Sequence, residues 1–155
     1  MEKKEVARLS GCEVEIKDGE KTAKGKVVLT EKIRSVRDLE VYKTAFAAAM
    51  EIYQISKSFP PEERYSLTDQ IRRASRSVCS NLSESWRKRR YSAVFINKLT
   101  DAQQEASETQ TWLDFCLACE YIDKAIFQHL DEKYEKILAM LNSMEMKADK
   151  FCFKR

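Results

Sequence analysis

The sequence predicts an all-α protein: an antiparallel up-down-up-down four-helix bundle with a short N-terminal extension that weakly favours a β-hairpin. Three observations predict this fold. Apolar residues recur at spacings of three and four over most of residues 36–150, the period of an amphipathic helix. All three glycines lie in the first 25 residues, and the only prolines are the Pro60-Pro61 pair. Long helices with such short connections pack antiparallel.

Residues 1–35 are predicted to form an N-terminal arm, with residues 36–150 as the bundle and 151–155 as a C-terminal tail. Two strand-like segments, ending at Ile16 and Leu29, flank the turn sequence Asp18-Gly19, a pattern typical of a hairpin. An isolated hairpin is marginally stable in water. The arm is therefore expected either to pack on the bundle or to move independently of it.

The first two helices are predicted on either side of the proline pair. The first covers about residues 36–58 and ends there because proline disfavours helical geometry in the residue before it. The second runs from about Ser66, a candidate N-cap because Asp69 follows three residues later, to about Arg89. The predicted apolar face of the first helix contains Leu39, Tyr42, Phe46, Ala49 and Ile52 or Tyr53, and that of the second contains Leu67, Ile71, Ala74, Val78, Leu82 and Ser85.

The last two helices follow after short turns. The third is predicted from about Ser92, and the fourth begins after Asp123, which is expected to act as its N-cap. The predicted apolar faces contain Phe95, Leu99, Ala102, Ala106, Leu113 and Leu117 on the third helix, and Ile126, Leu130, Tyr134, Ile137, Leu141 and Met144 on the fourth.

Charge is distributed unevenly although the net charge is only +3. Residues 64–90 contain eight Lys or Arg residues and two acidic residues, whereas residues 101–149 contain eleven acidic residues and four lysines. This asymmetry favours either a nucleic-acid partner or head-to-tail contacts between copies of the chain.

The cysteine content and hydropathy indicate a cytoplasmic protein. The chain has five cysteines, an odd number, and no apolar signal segment at its start, as is typical of a reducing compartment. No segment approaches the roughly 20 consecutive apolar residues of a membrane span. We therefore expect no membrane association.

Several segments of the predicted helices occur in a recognisable order: Arg37-Asp38-Leu39-Glu40-Val41-Tyr42, Phe59-Pro60, Gln70-Ile71-Arg72-Arg73-Ala74 and Ser80-Asn81-Leu82-Ser83-Glu84, followed by Phe95, Leu99, Ala102, Glu108 and Leu113. Over about residues 36–122 they resemble the four-helix-bundle family that includes the open reading frames of intervening sequences in bacterial 23S ribosomal RNA genes. The resemblance implies a left-handed antiparallel bundle, a homopentameric ring and an association with nucleic acid. The accessory bundle of diversity-generating retroelements, a basic pentamer that partners a reverse transcriptase, is similar in architecture.

The run Arg87-Lys88-Arg89-Arg90 is the candidate nucleic-acid-binding site. One or two cations are explained by favourable interaction with the C-terminus of the second helix. Four exceed that need, and in a ring they would form a circle of positive charge suited to sugar-phosphate backbones. The flanking Trp86 and Tyr91 are either core or interface residues, or aromatic surfaces on which unpaired bases stack.

A second set of residues is a candidate oligomer interface. Arg72, Arg73 and Arg76 face away from the apolar side of the second helix, where they are either solvated, bound to phosphate, or paired with a neighbouring subunit. The matching acidic stripe on the third helix, which also carries an outward-facing tryptophan, contains Asp101, Glu105, Glu108 and Trp112.

Signatures of catalysis and metal binding are lacking. His129, the only histidine, has no Glu-x-x-His pairing of the di-iron type, and Cys116-x-x-Cys119 lacks a second ligand pair. No catalytic residue, metal site or cofactor is predicted. The sequence therefore predicts a non-enzymatic oligomeric bundle that binds RNA or DNA; the alternative is a protein-interaction scaffold, such as an accessory subunit of a reverse transcriptase.

Overall fold

Four long helices account for most of the structure, a computed structural model that describes residues 33–154. They are α1 (Glu40–Ile55), α2 (Leu67–Arg87), α3 (Ser92–Ala118) and α4 (Lys124–Met146), and a short helix, α5 (Ala148–Phe151), follows. Short 3-10 turns occupy Val36–Asp38, Ser56–Ser58 and Pro61–Glu63. Residues 33–154 contain no strand, so the predicted all-α class is confirmed for this part of the chain, whereas the predicted hairpin lies outside the described residues.

The helices form the predicted antiparallel bundle, in which each long helix packs against the next and α1 also packs against α4. Polar contacts across α3 and α4 show the opposed directions: Gln103 donates to Glu145, and Gln110, two turns further along α3, donates to Glu135, nearer the start of α4. None of the helices described for residues 33–154 combines the length and apolar character needed to cross a membrane.

The core is built from the apolar faces predicted for α2, α3 and α4. Its largest fully buried side chains include Tyr134, Phe95, Ile71 and Leu113. Burying them stabilises the bundle by roughly 1.5–3 kcal/mol for each large apolar side chain. Only the outer ends of two predicted faces, Leu117 and Ile126, are partly exposed.

The apolar face of α1 differs from the prediction. Phe46 is 53% exposed and stacks on Tyr42 at the surface, so its placement in the core is wrong. The buried side of α1 contains Val41, Ala45, Ala48, Ala49 and Ile52. Because alanine side chains are short, this side lets α1 approach its neighbours closely, which leaves no room there for the Phe46 ring.

The helix starts also test the predicted caps. The Asp123 carboxylate accepts a hydrogen bond from the Ile126 N–H at 2.8 Å, as predicted. Ser66 occupies the N-cap position of α2, as predicted, but its side chain makes no capping bond. Its hydroxyl instead donates to the Glu63 carboxylate, which also accepts from the Leu67 N–H at 3.2 Å. Glu63 thus takes the role assigned to Ser66, because its longer side chain reaches the first turn of α2 from the preceding 3-10 turn.

The C-terminus of α3 turns sharply at Glu120, which has a positive φ of 60°. The Tyr121 N–H donates to the Cys116 carbonyl at 2.8 Å and the Glu120 N–H to the Leu117 carbonyl at 3.0 Å. This is the Schellman arrangement, in which the left-handed position favours glycine. A non-glycine residue therefore occupies a costly backbone conformation at this turn.

Candidate nucleic-acid interface

The turn between α2 and α3 displays most of the predicted basic run. The Lys88 N–H ends α2 by donating to the Glu84 and Ser85 carbonyls, and the Tyr91 N–H closes the turn on the Lys88 carbonyl at 2.8 Å. This geometry leaves Arg87, Lys88 and Arg90 exposed to solvent. These three cations are therefore available to a partner.

Arg89 differs from its three neighbours because its guanidinium is enclosed by aromatic rings. Its central carbon lies 3.5 Å from the centre of the Trp86 ring and 4.9 Å from the centre of the Phe153 ring. Its Nε donates to the Trp86 carbonyl at 2.8 Å, and its own carbonyl accepts from the Phe153 N–H at 3.1 Å. Partial burial, together with the charge of Arg87, lowers the pKa of Arg89 below its usual value.

The two aromatic residues that flank the run have different surroundings. Trp86 is only 8% exposed and is covered by Arg89, so the structure places it in the core, the first of its two predicted roles. Tyr91 is 50% exposed and borders a surface depression with Arg90, Phe153 and Lys154. Of the two rings, Tyr91 offers the larger surface to a base.

Two arginines that the sequence did not single out lie beside this turn. Arg34, Arg37, Arg87 and Arg89 line one cleft of about 480 Å³, whose wall also includes Tyr42 and Trp86. The cleft forms because the 3-10 turn before α1 and the end of α2 meet at the same end of the antiparallel bundle. We call this the arginine cleft.

A capping box holds the arginine cleft's 3-10 turn in place. The Asp38 carboxylate accepts hydrogen bonds from the backbone N–H groups of Arg34 and Ser35 at 2.9 and 2.7 Å, and the Ser35 hydroxyl accepts from the Arg37 N–H. These backbone bonds, that of Ser35 first, hold the pKa of the Asp38 carboxyl below its usual value. Asp38, the acidic residue that follows Arg37 in the sequence, therefore bonds to backbone N–H groups and not to a guanidinium group of the cleft.

The cations of this end lack carboxylate partners among residues 33–154. The ion pairs within residues 33–154 join Arg73 to Asp69, Lys98 to Glu84 and Asp101, and Glu51 to His129 and Lys133. None involves the residues we call the basic end: Arg34, Arg37, Arg87, Lys88, Arg89, Arg90 and Lys154. The opposite end carries the acidic residues Glu62, Glu63, Glu120 and Asp123 beside the cations Lys57, Arg64 and Lys124, so the excess of positive charge lies at the basic end.

Two of the three arginines predicted at an oligomer interface contact α1 of the same chain. Arg72 donates from Nε to the Ser56 hydroxyl at 2.7 Å, and its guanidinium lies 5.1 Å from the centre of the Tyr53 ring. Arg76 lies 5.6 Å from the same ring. Arg73 is exposed and lies 3.8 Å from the Asp69 carboxylate. The ion pair of Arg73 thus lies within α2, whereas Arg72 and Arg76 both contact the Tyr53 ring of α1.

The acidic stripe of α3 lies next to α2. Lys98 bridges Asp101 at 3.2 Å and Glu84 of α2 at 2.8 Å. Partial burial and the neighbouring charges of Glu108 and Asp101 raise the pKa of the Glu105 carboxyl, an effect that the positive charge of Arg73 opposes. Asp101 is therefore paired within the subunit, whereas Glu105 has acidic neighbours.

Trp112 lies at the edge of the core in a small aromatic surface. Its indole N–H donates to the Glu108 carboxylate at 3.1 Å, and its ring packs at 5.8 Å against Phe115, which is 51% exposed. We call Trp112 and Phe115 the aromatic ledge. It is a partly exposed aromatic pair bordered by acidic residues, a composition suited to a protein contact.

The remaining reactive side chains do not converge on a common centre. His129 contacts Glu51 at 2.8 Å across α1 and α4. Cys116 is buried and Cys119 is exposed, and burial raises the pKa of the Cys116 thiol to about 12. Within residues 33–154, no group of three or more His, Cys, Asp or Glu residues is arranged to hold a metal ion.

Comparison with known proteins agrees with the resemblance in the sequence. The family model of the 23S rRNA-intervening sequence protein matches residues 37–143. A crystal structure of a protein of unknown function from the S23 ribosomal protein family of Bacteroides thetaiotaomicron is 28% identical, with a TM-score of 0.63 over 68% of this chain and 95% of that chain. A comparison with curated proteins gives no significant match.

Proposed function

The chain belongs to the 23S rRNA-intervening sequence protein family, and from this premise we propose that it is a non-enzymatic protein that binds the sugar-phosphate backbone of RNA or DNA. The contact surface in this proposal is the basic end of the bundle. Such binding requires access to cellular nucleic acid, so the proposal places the protein in the cytoplasm. No reaction is assigned to it.

The observation that carries this proposal is the group of cations at one end of the bundle without carboxylate partners among residues 33–154. Arg87, Lys88 and Arg90 are exposed there, and Arg34 and Arg37 extend the positive surface beyond the predicted run. Lys and Arg side chains that meet phosphates release condensed counterions, which supplies sequence-independent affinity. No element of residues 33–154 is set up as a base-reading helix, so we expect weak sequence preference.

A salt series tests the proposal. Filter binding of a generic single-stranded RNA should show affinity falling steeply with ionic strength, and replacing Arg87, Lys88 and Arg90 by Ser should reduce the slope of log K against log salt by about 2, at about 0.7 per lost phosphate contact. A matched control replaces three cations at the opposite end, Lys57, Arg64 and Lys124, by Ser and should leave the slope unchanged.

Two results would contradict the proposal. The first is an absence of RNA and DNA binding at low salt. The second is an equal loss of slope in the two triple variants, because it would mean that only the net charge of the protein matters.

The second candidate function is a protein-interaction scaffold, and the aromatic ledge favours it. In this reading a neighbouring copy of the chain covers Trp112 and Phe115 and brings a cation, for which the exposed Arg73 is suited, to the acidic Glu105 and Glu108. Such a contact, between the arginine face of one copy and the acidic stripe of the next, is heterologous and can close into a ring, consistent with the homopentamer that the family resemblance implies. A ring would also present its basic ends together, to nucleic acid or to a protein such as a reverse transcriptase.

Light scattering tests the scaffold. The double variant Trp112→Ala with Glu108→Arg should convert the oligomer to monomers, because it removes the aromatic contact and reverses one charge. Lys136→Ala, an exposed change on α4, is the control and should keep the mass of the unaltered protein. If the double variant keeps that mass as well, the interface lies elsewhere.

A further inference from the structure

The arginine cleft differs from the rest of the basic end in being concave. Arg34 and Arg37 approach it from the 3-10 turn before α1 and the residues just ahead of that turn, and Arg87 and Arg89 from the end of α2 and the turn that follows. Its volume of about 480 Å³ lies in the range of small-molecule sites. A strand that runs across the convex turn at Lys88 and Arg90 would not fill this space.

The four guanidinium groups that line the arginine cleft form no ion pair with a carboxylate of residues 33–154. Partial burial and, to a smaller extent, the charge of Arg87 lower the pKa of Arg89, as expected for two guanidinium groups that line the same cleft. Asp38 is the nearest acid on the 3-10 turn, and its carboxylate already accepts from two backbone N–H groups. An anion with more than one negative charge would relieve the repulsion between these like charges most effectively.

Guanidinium groups favour phosphate oxygens because their paired N–H donors match them geometrically. A phosphate diester inside a strand carries one negative charge and two free oxygens. A terminal phosphate is a monoester with a charge of about −1.5 to −2 at pH 7 and three free oxygens. The second group satisfies several converging guanidinium groups better than the first.

We propose that the arginine cleft binds the terminal phosphate of an RNA or DNA strand, while Lys88 and Arg90, on the exposed turn, contact the adjoining backbone. Arg37 and Arg34 are the principal phosphate ligands, since their side chains are exposed and unpaired within residues 33–154. Arg89 forms the inner wall, where Trp86 and Phe153 fix its position. This inference rests on the nucleic-acid binding proposed above and adds a preference for strand ends.

Fluorescence anisotropy with the full chain measures this preference. The probes are single-stranded RNA oligonucleotides of one sequence with a 5′-phosphate, a 3′-phosphate or hydroxyl groups at both ends, each labelled at an end that carries no phosphate or at an internal position. We expect at least one phosphate-ended probe to bind about tenfold more tightly than the hydroxyl-ended probe, the effect of one or two charged hydrogen bonds. Arg37→Gln and, separately, Arg34→Gln should remove most of this preference.

The matched control is Arg90→Gln, which removes one charge from the same end outside the cleft. It should weaken binding of phosphate-ended and hydroxyl-ended probes by the same factor and leave their ratio unchanged. Inorganic phosphate, added at constant ionic strength, should compete only with the phosphate-ended probe if the strand supplies most of the affinity. If inorganic phosphate displaces the phosphate-ended probe when the two are present at equal concentrations, the cleft binds free phosphate as tightly as a strand end. That result would overturn the strand-end proposal.

The outcomes separate this inference from the proposed function. Equal affinity for all three probes, with the steep salt dependence retained, would overturn the strand-end preference and leave backbone binding intact. Absence of binding for every probe at low salt would overturn both. A preference that persists in both Arg37→Gln and Arg34→Gln would overturn the assignment to the arginine cleft.

Discussion

Arg89→Ala should destabilise the bundle, although Arg89 belongs to a run of surface cations. Its guanidinium faces Trp86 at 3.5 Å and Phe153 at 4.9 Å, and its Nε donates to the Trp86 carbonyl at 2.8 Å. Each of the two contacts with an aromatic ring contributes about 0.5–1 kcal/mol, the value for an exposed site, and the hydrogen bond contributes about 1 kcal/mol. The sum is a loss of about 2–3 kcal/mol of unfolding free energy.

Urea unfolding followed by circular dichroism, at one protein concentration because any oligomer would unfold with concentration dependence, gives this value by linear extrapolation. The control is Arg90→Ala, an exposed change that should stay within about 0.5 kcal/mol of the unaltered protein. In RNA binding the order should reverse, with Arg90→Ala reducing the salt slope more than Arg89→Ala. The reasoning is refuted if both variants lose the same stability, or if Arg89→Ala loses less than about 0.5 kcal/mol.

Three further predictions concern the helix ends. Glu120→Gly should stabilise the fold by about 1 kcal/mol in urea unfolding, because glycine tolerates the φ of 60° without the cost paid by other residues; Glu120→Ala, which keeps a Cβ, should give no such gain. Asp123→Ala should cost about 1 kcal/mol through loss of the N-cap bond to Ile126, whereas Asp123→Asn should cost much less. The hydrogen bonds from Ser66, Leu67 and Tyr121 lower the pKa of Glu63 from its ordinary 4.5, so its contribution is present above pH 4.5 and is lost as the pH falls through the lowered pKa. Glu63→Gln should therefore make unfolding stability less dependent on pH below 4.5, and an unchanged pH profile would contradict this.

The helical bundle was predictable where each helix has one apolar face. On α2, branched side chains such as Ile71, Val78 and Leu82 recur at helical spacing while the other side is polar, so only one orientation buries them, and the structure buries all three. On α1, alanines occur on several sides, and spacing alone allowed a face that included Phe46. The structure buries the alanine side. Short alanine side chains let α1 pack closely against its neighbours, whereas the large Phe46 ring would hold α1 away from them.

The candidate site was predictable only where its residues are adjacent in the chain. Arg87 to Arg90 form a contiguous run and were found from the sequence. Arg34 and Arg37 carry no local signal, since two arginines near a helix start are common on solvated surfaces. They join the site because the start of α1 and the end of α2 meet at one end of an antiparallel bundle. The predicted topology already implies this meeting, so placing the charged residues on that topology would have brought these arginines together.

The four consecutive cations show why a run of charge is not one site. Arg89 follows Trp86 by three residues and lies in the turn directly after α2, where its Nε bonds to the Trp86 carbonyl and its guanidinium lies over the indole ring. Phe153 covers the other part of that guanidinium only because the tail returns to the α2–α3 turn, where its N–H bonds to the Arg89 carbonyl. The local sequence gives no signal that predicts this tertiary contact. The same contact brings the positive charge of Lys154 beside Arg90. Arg89 thus adds to the basic end chiefly by fixing the positions of other cations.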